Sequence, residues 1–518
     1  MSAQSLSSGL AAPGSLGWFA AHELRLAWRD WMSMMTAGKR AREWLAIGGT
    51  IAFVAFLHWL AFELIKTPLS EGVTATKATL TVFSMLGLLS FSLMLSQAIE
   101  SVTRAFYSRA DLDLLLSSPA SSRALFSVRI GAIVLSTAIL SLLLALPFVH
   151  MAVWIDGVRW LAIIPLVIAM AAGATALSIV VTVLMFRSIG ARRTRLIAQI
   201  LAAVVGAAFL IGTQVGAILF YGQISRIELF SSEALQSALP GLESWAWIPA
   251  RAALGDAASL LVIIVLAVAA LGLTMAVYAG RFGEYVLVAA SVGDGEEAVA
   301  QSRSLHAGSA EATLRAKEWR LLARDPWLIS QTLMQVLYLV PPAVLLWQTH
   351  GAETGALVVL APVLVMAVGQ LSGGLAWLAV SGEDAPDLMD TAPIKPKLAT
   401  NAKVQSVITI VMAISAPLLV AIAIADLWVA CVTFVFLMVA AYSAILIQLW
   451  FRRPMSRSQF RRRQTASRTS TIAEAFASIL WAGAAVMAAS GTAYAGIFVV
   501  LALGVLLIAW SMRPTART

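Results

Sequence analysis

A chain of 518 residues in which 60% are hydrophobic and only 12% charged is not a soluble globular protein, whose charged share is about 25%. Its mean hydropathy is +0.86, and repeated apolar runs of about 20 residues are each long enough to cross a hydrocarbon core of about 30 Å. The formal charge of +9 would suit nucleic acid, but its placement along the chain excludes that role, and a single cysteine, Cys431, excludes an intrachain disulfide.

The elements follow in chain order. Residues 1–43 form a tail and an interfacial helix. The first 20 residues lack a basic stretch, and Gly9, Pro13, Gly14 and Gly17 interrupt any apolar core, so no secretory signal is expected. Leu24, Trp28, Trp31 and Met35 fall on one helical stripe, with His22, Arg25, Arg29 and Ser33 opposite. A helix of this kind lies in the plane of the interface. A first half, 44–280, carries apolar runs near 44–66, 76–99, 127–149, 159–186, 197–221 and 258–280. Residues 281–326 read as a polar cytoplasmic linker ending in a second interfacial helix. A second half, 327–511, carries runs near 327–349, 354–380, 402–424, 427–451, 472–490 and 494–511, and 512–518 is a cytoplasmic tail. The expected fold is an all-α polytopic membrane protein of about twelve transmembrane helices.

Lys and Arg set the orientation. With the N-terminus cytoplasmic, only Lys66, Lys77, Arg159, Arg226 and Arg251 of the 36 basic residues lie outside cytoplasmic loops and their flanks. The strongest loops run from Arg187 to Arg195 and from Arg452 to Arg468. Alternation loop by loop is a membrane signature, so no nucleic-acid partner is expected.

Two motifs occur twice. Glu23, Arg25, Leu26, Arg29 and Asp30 match Glu318, Arg320, Leu321, Arg324 and Asp325 at one constant offset, each set just before the first span of its half. Asp113, Leu114, Ser117 or Ser118, Pro119, Arg123 and Arg129 match Asp387, Leu388, Thr391, Pro393, Lys397 and Lys403, each set between the second and third spans. Matching order in matching slots, with six spans per half, implies two parallel repeats related by an axis along the membrane normal. The halves differ at residues 222–257, a stretch rich in Trp, Leu and Ile that is expected to dip into the outer leaflet. It would serve there as a lid or as packing. The second half has almost nothing near Gly491.

Sites of chemistry are absent from the sequence. No phosphate-binding loop occurs, because Gly38-Lys39 lacks both the upstream glycine and the following hydroxyl. Leu371-Ser372-Gly373-Gly374 lies inside an apolar run and reads as close helix packing by small residues. The five histidines are scattered, and His58 and Glu63 stand near the outer end of their span as interfacial anchors. Glu100 follows Ser92, Ser96 and Gln97 on one helical side, lining a pathway or capping the bundle. Charged residues are nearly missing from mid-span, where they are costly and usually functional. No enzyme activity, metal or cofactor is expected on this chain, and its energy is expected from outside. Asp113 and Asp387 suit helix starts, Leu114 and Leu388 are apolar knobs, and Pro119 and Pro393 fix the exits. Such a loop suits docking to another protein.

With these motifs in hand, the chain resembles the membrane subunit of type-two ATP-binding-cassette exporters, and the stretch Ser108 to Pro119 is similar to that of twelve-span bacterial exporter permeases. The resemblance implies an inner-membrane permease with both termini cytoplasmic. It also implies a separate ATPase dimer carrying the ATP, coupling helices at Asp113–Arg123 and Asp387–Lys397, and interfacial helices before each half. An apolar path without fixed charge points to a hydrophobic substrate. A gradient-driven secondary transporter with parallel six-span repeats is the alternative.

Overall fold

The computed structural model describes residues 43–107, 122–221, 237–281, 309–323, 354–381, 395–451 and 468–513, with isolated positions between them. The protein is an integral, multi-pass, all-helical membrane protein. Ten helices among the described residues are long and apolar enough to cross a bilayer. The chain divides into two compact units, residues 1–210 with 227–301 and residues 211–226 with 302–518.

In the first unit, α1 (Glu43–Ser70), α2 (Lys77–Tyr107) and α3 (Ser122–Asp156) are followed by α4 (Ile163–Tyr221), whose residues from 211 onward are assigned to the second unit. The long α4 is two spans in one run. At Gly190 the backbone takes φ +76°, ψ 162°, a conformation that glycine adopts without a steric cost. The basic stretch Arg187–Arg195 is therefore a near-immediate reversal rather than a loop, and the Thr194 hydroxyl donates to the Gly190 carbonyl at 2.8 Å. The stretch Val158–Gly190 is the most buried span of this unit. Phe106, Phe126, Ile130, Ile179 and Val183 form the core at one end, with Phe106 and Phe186 in ring contact. Serine holds the helices closely. The Ser96 hydroxyl donates to the Ala202 carbonyl at 2.6 Å, Ser92 donates to Val205, and a Cβ on Gly206 would sit 2.8 Å from Ser96 Oγ. These bonds are packing contacts between spans. Glu100 pairs at 3.2 Å with Arg104, both groups about half exposed.

The apolar stretch before the sixth span is a packing element over its described part, residues 237–257. Trp245–Trp247 forms a 3₁₀ turn and leads into α5 (Ile248–Ala253). Trp247 and Ala250 are buried with Leu80, while Trp245 stays exposed. Trp59 and Trp154 are likewise exposed. Next, α6 (Ala257–Tyr278) begins at Asp256, whose carboxylate accepts from the Ser259 N–H at 3.0 Å. Asp256→Ala is expected to cost about 0.5–1 kcal/mol, read as a lowered melting temperature in detergent. Hydrogen bonds from Ser259, side chain first and then backbone, hold this carboxyl below its ordinary value of 3.8, with a smaller contribution from Arg251. The folded value lies below the unfolded one. The contribution is therefore complete above the ordinary value and is lost as pH falls through the lowered one.

In the second unit, α7 (Ala310–Ala323) precedes α8 (Thr354–Ser381), α9 (Pro396–Ala425), α10 (Leu427–Trp450), α11 (Arg468–Ala489) and α12 (Ala495–Ser511). The run expected at 327–349 lies mostly outside the described residues, and α12 spans only 17 residues. The tight pair 402–451 is two helices, turned at Asp426, which caps α10 by accepting from the Val429 N–H at 3.0 Å. Gly491, φ +69°, turns α11 into α12. Here α8 is central, its stretch Leu360–Val380 almost wholly enclosed, by α9, α10 and α11. In the first unit the central span is the fourth of its half. In the second it is α8, the second by the same numbering. The motif repeat is therefore not matched by equal burial of corresponding spans.

Candidate functional site

Several of the motif residues are described, and they separate sharply by environment. Arg25 and Arg29 are exposed one turn apart, with Arg25 Nε donating to the Ala21 carbonyl at 3.2 Å. Arg123, Arg320, Pro393 and Lys397 are also exposed. Glu23, Asp30, Asp113, Leu114, Pro119, Arg324, Asp325, Asp387 and Leu388 lie outside the described residues.

Glu318 behaves differently. Helix α7 buries Leu314, Glu318 and Leu322, positions i, i+4 and i+8 of one stripe. A carboxylate thus occupies the middle of an otherwise apolar face, 1% exposed. Its partner is Lys403 of α9, with Nζ at 2.8 Å from Glu318 Oε1. The same ammonium donates to the Ala379 carbonyl at 2.5 Å. Ala379 lies in the last turn of α8, where carbonyls have no partner within the helix. One buried cation therefore ties three elements: the helix before the spans, the end of α8 and the start of α9. The second motif loop, Asp387 to Pro393, runs between α8 and α9, so Lys403 clamps both of its stems. Lys317 Nζ stands 3.7 Å from the same Oε1, and Oε2 is buried without a hydrogen-bond partner among the described residues.

A second buried charge lies at the same end of this unit. Glu474, in the second turn of α11, accepts from Gln448 Nε2 of α10 at 2.7 Å. Gly373 of α8 makes room for it, since a Cβ there would overlap the Glu474 carboxyl group. One turn away, a Cβ on Gly369 would lie 2.5 Å from Ser478 Oγ. Two turns along α11, Trp481 Nε1 donates to the Ser443 hydroxyl at 3.1 Å. Gly373 of the Leu371–Gly374 stretch does serve close packing, and with Gly369 it admits a buried polar stripe of α11.

Sequence reasoning missed Glu474 as a buried group. It lies at the start of its run, where an acid is ordinarily exposed to water. The usable signal was the spacing of Gly369 and Gly373, one turn apart in an apolar helix. The histidines were also read as scattered, yet His58 Nε2 and His150 Nδ1 stand 3.1 Å apart with stacked rings, and His58 Nδ1 bonds the Val54 carbonyl. Further along the same helix, Lys66 and Glu63 pair at 2.5 Å. Among the described residues no cluster of three or more metal-ligating side chains occurs.

No family model matches the chain, and comparison with curated proteins and with solved structures returns no match. The class that the fold defines is a multi-span helical membrane protein, consistent with a transporter.

Proposed function

We propose that the chain is the permease subunit of an ATP-driven exporter in a bacterial inner membrane, with two parallel six-span halves and cytoplasmic termini. On this reading it forms the pathway for a hydrophobic substrate. A separate cytoplasmic ATPase dimer holds the ATP and presses on the loops Asp113–Arg123 and Asp387–Lys397. The observation that carries the proposal is the Lys403 clamp. A push on the second loop meets a rigid base at Lys403 and passes through Glu318 into the preceding helix, instead of being lost in a slack connector. An ion pair that is buried and directional transmits displacement in this way because neither charge can part from the other without a large desolvation cost.

The test uses the two leucines that would face the partner. Leu114→Asp or Leu388→Asp is expected to abolish permease-stimulated ATP hydrolysis while leaving membrane insertion unchanged. Stimulation at the wild-type level in both variants overturns the docking role.

Glu474 favours a second reading. A carboxyl enclosed among α8, α10 and α11 is what a gradient-driven transporter would use to carry a proton or cation. A chain that purifies without an ATPase and moves solute on a proton or sodium gradient, with Glu474→Gln inactive, would establish that reading in place of the first.

A further inference from the structure

Of the five basic residues placed outside the cytoplasmic loops, the fold brings Arg159 and Arg251 to one cavity. This open cavity of about 250 Å³ is lined by Val73, Ala75, Arg159, Arg251, Leu254 and Asp256. Three segments build it: residues 73–75 between α1 and α2, Arg159 after α3, and 251–256, the end of α5 with its connection to α6. Gly157 and Gly255 turn two of these connections at φ +96° and +95°. A Cβ on Gly255 would lie 2.9 Å from Arg159 Cβ, so glycine is what lets the two segments close on each other.

The polar groups are unequally used. Asp156 pairs with Arg159 and accepts from Trp160 Nε1 at 3.0 Å. Asp256 is engaged by the Ser259 N–H. Both carboxylates are thus committed within the fold. Arg159 bonds Asp156 and the Val73 carbonyl through Nη2, and Arg251 bonds the Leu242 carbonyl through Nη2. Nε and Nη1 of both guanidiniums have no partner among the described residues. A guanidinium carries five donors in a fixed fork that matches an oxyanion. Trp160 packs against Arg159, 5.3 Å from the guanidinium carbon to the ring centre, and holds it in place.

We infer that this cavity is a binding site for a single phosphate group, carried by a phospholipid headgroup or by a soluble phosphate ester, with Arg159 and Arg251 donating to its oxygens. Val73 and Leu254 supply an apolar lip beside it. The site itself stands on the geometry of one unit. Only its placement on the outer face rests on the orientation proposed above.

The experiment uses the purified full chain. In one arm, the protein in a phosphate-free glucoside detergent, with and without added phosphatidylglycerol, is compared by native mass spectrometry for retained lipid. In the other, glycerol 3-phosphate and inorganic phosphate are titrated calorimetrically. Retention of phosphatidylglycerol alone assigns a headgroup, and binding of the soluble phosphates alone assigns a soluble ligand. Either supports the site if Arg251→Gln weakens it roughly tenfold and Arg251→Lys weakens it less. Binding that is equal in the wild type and in Arg251→Gln, or absent in both arms, overturns it. If Arg251→Gln fails to fold, the Ala75→Cys variant in a Cys431→Ser background replaces it. Protection of that thiol from a maleimide by the bound phosphate supports the site, and no protection overturns it. The same thiol, labelled by an impermeant maleimide in intact cells, reads the orientation separately. Labelling only after permeabilisation would overturn the orientation while leaving the binding result standing.

Discussion

Lys403→Ala is expected to destabilise the protein by about 3–5 kcal/mol, seen as a large fall in melting temperature in detergent and a loss of folded protein from the membrane. The reason is asymmetry. With Lys403 gone, Glu318 is a carboxylate 1% exposed whose remaining ion-pair partner among the described residues, Lys317, is 3.7 Å away. The Ala379 carbonyl also loses its donor, at the end of a helix that is otherwise enclosed. Glu318→Gln is expected to do less harm, because an amide still accepts from the ammonium but removes the opposing charge. The informative variant is Glu318→Leu with Lys403→Met. Replacing both members of a buried pair by apolar groups of similar volume is often neutral or stabilising. The double variant is therefore expected to recover most of the melting temperature. On the proposed function it does not recover ATPase stimulation, since the helix before the spans is then no longer tied to the loop. Recovery of both would reduce the pair to a structural contact. Arg129 stands sixteen residues after Asp113 as Lys403 does after Asp387, and Glu23 corresponds to Glu318. The same substitutions at Glu23 and Arg129 test whether the tie is used in both halves.

Gly373→Ala is expected to be the second severe change. A methyl group there overlaps the Glu474 carboxyl, in the most enclosed helix of the unit. Overpacking of this kind costs about 1–3 kcal/mol. The backbone of α8 has little room to yield, with α9, α10 and α11 around it, so Glu474 is the group that moves. Moving it breaks the bond from Gln448 and leaves that amide unsatisfied, a further cost of about 1–3 kcal/mol. Glu474→Ala in the Gly373→Ala background removes the overlap, and it is expected to restore part of the lost stability. A single Gly373→Ala protein with the wild-type melting temperature would show that α11 can shift, and the close approach would then carry no constraint.

Much of the architecture was legible because lipid leaves so little choice. Each backbone polar group must be paired within its own helix, so an apolar run of about 20 residues has one structural meaning. The runs at 44–66, 197–221, 258–280, 354–380 and 427–451 each lie within a helix close to their expected limits. The reversal at Gly190 was visible as a basic gap, although its tightness was not. The site was less legible. Glu318 and Lys403 each stood out as members of a repeated motif, but the two motifs were read as separate devices, one for the interface and one for docking.

The sequence by itself determined the solvent of this protein and the approximate limits of most spans. Those depend on local composition and on period, and a membrane enforces both. Only the tertiary structure decided which polar groups meet. Glu318 and Lys403 are 85 residues apart and bond at 2.8 Å. Arg159 and Arg251 come from different connections and share one cavity. Hydropathy reports whether a residue prefers lipid or water. It carries no information on which helix face turns toward which neighbour, because that is set by the fit of small and large side chains between helices, as at Gly373 and Glu474.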